Sequence, residues 1–149
     1  MTERAPHDLG PVFERAPGLT TRLRFPPTAT AREIVQAARN ALAGMSEPER
    51  IAVLNAHPRI GADATSLSLH ARREQGDAAD AAMLRELDEL NDAYEEKFGF
   101  RFVVFVAGRS KQQIVPVLRM RLANTREAEL KTGLDEFLAI SLDRLERPR

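Results

Sequence analysis

Cysteine is absent from this chain of 149 residues, which excludes disulfide bonds, thiolate nucleophiles and cysteine-ligated zinc sites. The three histidines do not form a His-x-x-x-His pair, so no metal site is expected. An excess of either charge is also absent, because 22 lysines and arginines balance 22 aspartates and glutamates. Nucleic-acid-binding proteins usually carry a basic excess, so we expect no nucleic-acid partner.

Long apolar runs are missing as well. No stretch approaches the roughly 18 apolar residues of a membrane-spanning helix, and Met1–Pro6 lacks the apolar run of a signal peptide. We therefore expect a cytoplasmic protein without a membrane partner. Hydrophobic residues make up 43% of the chain and aromatic residues only 5%. This composition predicts one domain over residues 1–149, with a mobile tail at residues 1–8 and a core of mostly leucine, valine, isoleucine and alanine.

Helix-start signals recur and predict an all-α fold. In a capping box, a hydroxyl side chain and a glutamate or glutamine three residues later satisfy each other's backbone amides. Such boxes are expected at Thr30 with Glu33, Ser46 with Glu49, and Ser110 with Gln113. The second of these helices must end near His57, because Pro58 disfavours the helical conformation of the residue before it. Further helices are expected from Asp63 to about Gln75 and from Asp77 to Gly99. A last helix is expected to open at Asn124 with Glu127, with Asn124 as its cap, which gives a bundle of about seven or eight helices.

Two places do not fit a regular helix. Phe102–Val106 is short, rich in valine and flanked by Gly99 and Gly108. Such a composition is typical of a strand, but a strand without a partner is unstable. We therefore expect either a buried extended segment or a short helix imposed by packing. Pro116 lies inside the helix that Ser110 caps, and we expect it to kink that helix or delay its start.

His57 is the first candidate for proton chemistry. An imidazole titrates near neutral pH, which suits a general acid or base. Pro58 and Gly61 fix this histidine at a predicted helix end. The alternative is structural, because a histidine at such an end can simply interact with the last carbonyl groups of its helix.

Glu74 and Gln75 are the second candidates. A carboxylate accepts hydrogen bonds and an amide both donates and accepts them, so the pair suits a urea-like or heterocyclic ligand. The alternative is an ordinary solvated helix end.

Phe102–Val106 is the third candidate, because backbone groups that are not paired in a sheet can face a ligand. For its side chains the alternative is plain core. The cationic candidates for a carboxylate site, each of which could equally be a surface residue, are Arg109, Arg121 and Arg144.

Several longer stretches occur in an order and spacing that resembles one enzyme family. They are Ala56–Gly61, Arg73–Gln75, Leu90–Val103, Gly108–Lys111, Arg121–Leu130 and Arg144–Leu145. Together they resemble the 2-oxo-4-hydroxy-4-carboxy-5-ureidoimidazoline (OHCU) decarboxylases of urate breakdown, from about Val12 to Leu145. No single motif is decisive, and the ordered set is what makes the resemblance specific.

The resemblance implies an all-α, cofactor-free enzyme, usually a homodimer, that converts OHCU to (S)-allantoin with loss of carbon dioxide. It implies that His57 is the catalytic proton donor, and functional coupling to urate oxidase and hydroxyisourate hydrolase is expected with it. The substrate-binding positions that it implies are Pro58, Ala71, Glu74, Gln75, Phe102, Val103, Val104, Phe105, Val106 and Arg144.

The chain departs from the family pattern at several positions. Ala71 stands where the family usually has serine, and the lost hydrogen bond to substrate is expected to cost on the order of 1–3 kcal/mol. Gly18 stands where the family often has tryptophan, Arg101 stands where it often has proline, and the N-terminus looks short. These departures leave the expected fold unchanged.

Two other functions stay open. The same pocket could act on a related ureido or hydantoin-like acid, which the alanine at position 71 permits. The chain could also be a helical binding module without catalysis. The joint presence of His57, Glu74 and Gln75 argues against such a module, because a silent pocket has no physical need for all three.

Overall fold

The computed structural model describes residues 12–14, 16, 18–60 and 77–147. These residues form five α-helices and one 3₁₀ turn, with no β-strand among them. The turn is Thr20–Arg22, and the helices are α1 Ala31–Ala43, α2 Glu47–Ala56, α3 Asp77–Phe98, α4 Lys111–Leu122 and α5 Arg126–Glu146. The all-α prediction is confirmed, whereas the expected seven or eight helices are not matched. Within the described ranges, no helix is both long and apolar enough to cross a bilayer.

The difference in helix number has two sources. The helix expected from Asp63 to Gln75 and the tail expected at residues 1–8 lie outside the described residues. Phe102–Val106 forms neither a helix nor a strand, so the short-helix alternative for this segment is wrong. We refer to Phe102–Val106 as the extended segment.

Side-chain caps begin most helices where the sequence predicts them. All three expected capping boxes are complete, at Thr30, Ser46 and Ser110. Helix α4 starts directly after Ser110 and runs through Pro116, so a delayed start is wrong. Thr125, not Asn124, caps α5. The Asn124 side chain instead donates a hydrogen bond to Glu129 Oε2 at 2.8 Å.

Helix α5 occupies the centre of the packing, in contact with α1, α2 and α3, while α4 packs on α3. Helices α2 and α5 approach closely at Gly133, where an added Cβ would lie 3.3 Å from the Leu54 methyl carbons. The expected aliphatic core is only part of the outcome. Five of the chain's seven phenylalanines and its one tyrosine are fully buried: Phe13, Phe98, Phe100, Phe102, Phe137 and Tyr94. Aromatic rings bury much area each, so a few of them suffice to fill the centre.

A polar network lies inside this core. The Arg121 and Glu129 side chains are 5% and 0% exposed, and Arg121 Nε donates to Glu129 Oε1 at 2.7 Å. The Tyr94 hydroxyl donates to the same oxygen at 2.7 Å. Burial, with this carboxylate beside it, raises the pKa of Tyr94 far above its usual value. Tyr94 therefore stays protonated and remains a donor at neutral pH.

Candidate functional site

A cleft of about 870 Å³ lies between the end of α2, the extended segment, the start of α4 and the last turns of α5. Its size is in the usual range for a small-molecule site. The described residues that line it include Glu14, His57, Pro58, Arg59, Phe102, Val104, Val106, Arg109, Lys111 and Arg144. The structure thus brings together His57, Pro58, Arg144 and part of the extended segment, as the resemblance implied.

His57 lies where α2 ends. Its backbone is extended (φ −79°, ψ 137°), and its N–H donates to the Leu54 carbonyl. This geometry is what the following Pro58 requires, so the predicted helix end is confirmed. The imidazole is 15% exposed, lines the cleft and packs edge-on against Phe137 with ring centroids 6.5 Å apart. The ring is therefore held by packing while one part of it reaches the cleft.

Glu14 is a site residue that the sequence reasoning missed. Its Oε1 lies 2.5 Å from Arg144 Nη2 and 3.7 Å from His57 Nδ1. The first distance is that of a close ion pair, and the second is in ion-pair range but longer than a hydrogen bond. One carboxylate oxygen thus lies between the histidine and the arginine. No local pattern around Glu14 marks it, because the contact joins residues far apart in the chain.

Contacts from one face of α5 fix the backbone that directly precedes Glu14. Phe137 stacks on Phe13 with centroids 6.2 Å apart, and Ser141 and Arg144 donate to the Val12 carbonyl at 3.3 and 3.4 Å. Glu14 itself has φ +51°, in the left-handed region that disfavours a residue with a Cβ. The surrounding contacts therefore hold Glu14 in a conformation that it would not adopt alone.

This strain predicts an order of stability for two variants. Glu14→Gly and Glu14→Ala both remove the carboxylate, but only alanine retains a Cβ at φ +51°. We expect the glycine variant to have the larger free energy of unfolding, by about 1 kcal/mol, because the strain relieved exceeds the extra entropy of the unfolded glycine chain. Urea unfolding of the two proteins measures the difference. An alanine variant as stable as the glycine variant would show that this backbone is unstrained.

Side chains, not a neighbouring strand, satisfy the backbone of the extended segment. The Phe105 N–H donates to Glu136 Oε1 at 3.2 Å, and the Val103 carbonyl accepts from Arg121 Nη1 at 2.7 Å. Arg109 donates to the Phe105 and Val106 carbonyls at 2.6 and 3.0 Å. Of the five residues proposed to bind substrate, Phe102, Val104 and Val106 line the cleft. Protein side chains already bind the backbone at the intervening Val103 and Phe105.

Arg101, which departs from the family pattern, ties this segment to the end of α2. Its guanidinium donates to the carbonyl oxygens of Asn55 and His57 at 2.9 and 3.0 Å, and its N–H donates to Asn55 Oδ1 at 2.9 Å. Proline has no N–H and could make none of these bonds. Arg101 therefore stabilises the backbone at His57 through bonds that a proline could not make.

The arginine candidates have different environments. Arg144 lines the cleft and binds Glu14, whereas Arg109 lines the cleft and binds the carbonyls of the extended segment. Arg121 is buried in the core network, where it binds the Glu129 carboxylate, so the expectation of a surface residue is wrong. Sequence could not distinguish these environments, since the partners of each arginine are distant in the chain.

The charged side chains on the described walls of the cleft are mainly cationic. Arg59, Arg109, Lys111 and Arg144 line it with one acidic residue, Glu14. The hydrogen bonds that Arg59 donates to Asp92 and then to Glu95 raise the pKa of Arg59, so its charge is permanent. Such a cleft attracts a small anion.

Three proposed binding residues, Ala71, Glu74 and Gln75, lie outside the described residues and stay predictions. Gly18 has φ +75° with open space where a Cβ would lie; its backbone, rather than crowding, favours glycine there. Among the described residues, no group of three histidine, aspartate or glutamate side chains is placed to hold a metal ion.

Residues 1–146 match the family model described as OHCU decarboxylase. A 2-oxo-4-hydroxy-4-carboxy-5-ureidoimidazoline decarboxylase from Halalkalicoccus jeotgali is 30% identical, over 97% of this chain and 84% of its own length. One from Haloferax volcanii is 28% identical, over 91% and 83%. A "Uric acid degradation bifunctional protein" from a Bacillus species is 28% identical over 94% of this chain and 29% of its own length.

Solved structures share the fold. A crystal structure of OHCU decarboxylase in the presence of (S)-allantoin superposes with a TM-score of 0.70 at 22% identity, over 93% of this chain and 94% of that one. A crystal structure of (S)-allantoin synthase superposes with a TM-score of 0.69 at 22% identity, over 94% of this chain and 48% of that one. At this identity, the likeness describes the arrangement of the helices.

Proposed function

The chain belongs to the OHCU decarboxylase family, and from that premise we propose that it converts OHCU to (S)-allantoin with His57 as the proton donor. The observation that carries the proposal is the placement of His57. Its imidazole lines a cationic cleft of about 870 Å³, with Glu14 and Arg144 beside it. A histidine in this position can bind and protonate a small anionic substrate.

The proposed reaction needs one bond broken and one proton delivered. The bond between the substrate carboxylate and its ring carbon breaks, and carbon dioxide leaves. The electron pair stays on the ring carbon, where the conjugated ring delocalises it. Protonated His57 then transfers its proton to the neighbouring ring carbon, which bears the ureido group. The hydroxyl on the decarboxylated carbon becomes a carbonyl as its proton passes through solvent to the ring nitrogen, and solvent reprotonates the neutral imidazole. Delivery from one face explains a single enantiomer, and the protein contributes orientation and removal of water from the carboxylate.

The cleft walls have distinct parts in this proposal. Arg144 and Lys111 supply positive charge for an anionic substrate, and Pro58 and Val104 supply apolar contacts. Backbone groups of the extended segment that face the cleft would bind the polar edges of the ring. Glu74 and Gln75 would bind the ureido group, as the family resemblance implies.

Assembly and cellular context extend the proposal. We infer a homodimer, and functional coupling to urate oxidase and hydroxyisourate hydrolase, in the cytoplasm. Relatives named uric acid degradation bifunctional proteins are much longer than the part that matches this chain, which is consistent with such coupling. Analytical ultracentrifugation tests the dimer, and a sedimentation coefficient of a monomer at micromolar concentration would overturn it.

The test of the activity is the consumption of OHCU generated in the cuvette by urate oxidase and hydroxyisourate hydrolase. We expect the wild-type protein at catalytic concentration to accelerate the loss of OHCU well beyond the protein-free rate. If OHCU decays at the protein-free rate while the chain binds allantoin, the chain is a binding module. If neither binding nor turnover is seen, a related ureido acid becomes the substrate to test.

A further inference from the structure

We propose that Glu14 is a positioning residue for His57: its carboxylate orients the imidazole through Nδ1 and favours its protonated form. Its catalytic consequence rests on the function proposed above, whereas the effect on His57 itself does not. The inference starts from the 3.7 Å between Glu14 Oε1 and His57 Nδ1 and the 2.5 Å between the same oxygen and Arg144 Nη2.

The charges on the described walls of the cleft support this proposal. Cationic groups face His57 from several elements: Arg101 donates to its carbonyl oxygen, Arg144 lies on α5, and Arg59, Arg109 and Lys111 line the cleft. Each of these cations disfavours a positive charge on the imidazole. Among the described residues that line the cleft, Glu14 is the one anion that offsets them. Asp92 and Glu95 are directed to Arg59 instead.

A carboxylate beside Nδ1 also determines which nitrogen does the chemistry. It favours a proton on Nδ1, which leaves Nε2 as the nitrogen that exchanges a proton with a bound molecule. The Glu14 carboxylate lies closer to Arg144 than to His57, so its negative charge is shared between these two partners. Removing Glu14 and removing Arg144 should therefore change the protonation of His57 in opposite directions.

The strained backbone of Glu14 supports a positioning function. The φ of +51° and the α5 contacts on Val12 and Phe13 hold the residue in place. Because the backbone of Glu14 is already fixed, less conformational entropy is lost when its carboxylate is held beside the histidine.

The first test is an NMR titration of the histidine ring protons, which requires no substrate. His57→Asn assigns the His57 resonance, and the resonances of His7 and His70 serve as internal references. In Glu14→Gln, we expect the His57 titration midpoint to fall by about one pH unit, with an intermediate value in Glu14→Asp. In Arg144→Gln, we expect it to rise. An unchanged midpoint in Glu14→Gln overturns the proposal.

Asp135→Asn provides the matched control, because it neutralises a carboxylate that pairs with Arg39 and Lys131 at the surface. The His57 midpoint should not move in this variant by more than about 0.1 unit, since exposed charges at a distance are screened. A shift as large as that of Glu14→Gln would mean that net charge, not Glu14, controls His57.

The second test follows the rate of OHCU turnover against pH. Because the protonated imidazole is the active form, the alkaline limb of kcat should move to lower pH in Glu14→Gln, by the same interval as the NMR midpoint. At the optimum, kcat should fall about 10–100-fold with little change in KM. A lower rate without movement of the limb would assign Glu14 a purely structural part. If the wild-type protein does not turn over OHCU, the proposed function fails while the titration still decides this inference.

Discussion

Replacing His57 with asparagine is expected to lower the turnover of OHCU by about 10²–10⁴-fold, the usual contribution of a general acid. Asparagine cannot deliver a proton, but it fills a similar volume. Its backbone N–H can still donate to the Leu54 carbonyl, as the histidine N–H does at 3.1 Å. The end of α2 should therefore persist, and the melting temperature should change by only a few degrees.

Two comparison variants make this prediction specific. His57→Ala should lose activity to the same degree, since it too lacks a titratable group. His7→Asn is the matched control for the loss of one histidine, and it should keep wild-type activity. A His57→Asn protein with more than a tenth of wild-type kcat would remove the histidine from the mechanism.

Replacing Arg121 with methionine is expected to lower the free energy of unfolding by about 3–5 kcal/mol. The substitution leaves Glu129, whose side chain is 0% exposed, without its cationic partner. It also removes the hydrogen bond to the Val103 carbonyl and the guanidinium that lies 4.5 Å from the centre of the Phe102 ring. Because these contacts hold the extended segment, activity should fall along with stability.

Arg39→Met is the matched control, since Arg39 and Asp135 form an ion pair in which the side chains are 50% and 38% exposed. Exposed pairs contribute at most about 1 kcal/mol, so this variant should stay close to the wild type in urea unfolding. Adding Glu129→Leu to Arg121→Met should recover much of the lost stability, because the unpaired charge is then gone. An Arg121→Met variant as stable as Arg39→Met would show that the buried pair does not stabilise the fold.

Local signals predicted the helices well. The capping boxes at Thr30, Ser46 and Ser110 depend on residues three positions apart, and Gly99 with φ +81° ends α3 as expected. Each of these features is encoded within one turn of helix, so sequence alone suffices. Pro58 likewise fixed the end of α2 and the position of His57.

Tertiary partners explain what the sequence could not predict. Glu14 reaches His57 across more than forty residues and Arg144 across more than a hundred, and no local pattern encodes either contact. Asn124 failed as a cap because the buried Glu129 offers its side chain another partner. The sequence does not decide between an extended form and a short helix for Phe102–Val106, because the backbone partners of this segment are side chains from α4, α5 and a loop.

Circular dichroism in the allantoin absorption region tests the central claim most directly. Urate oxidase and hydroxyisourate hydrolase generate OHCU in the cuvette. Wild-type protein and His57→Asn are then compared at equal concentration, together with a control that lacks both. We expect rapid formation of optically active (S)-allantoin with the wild type, and a trace close to the protein-free control with the variant. Formation of (S)-allantoin by His57→Asn at the wild-type rate would contradict the assignment of His57 as the proton donor.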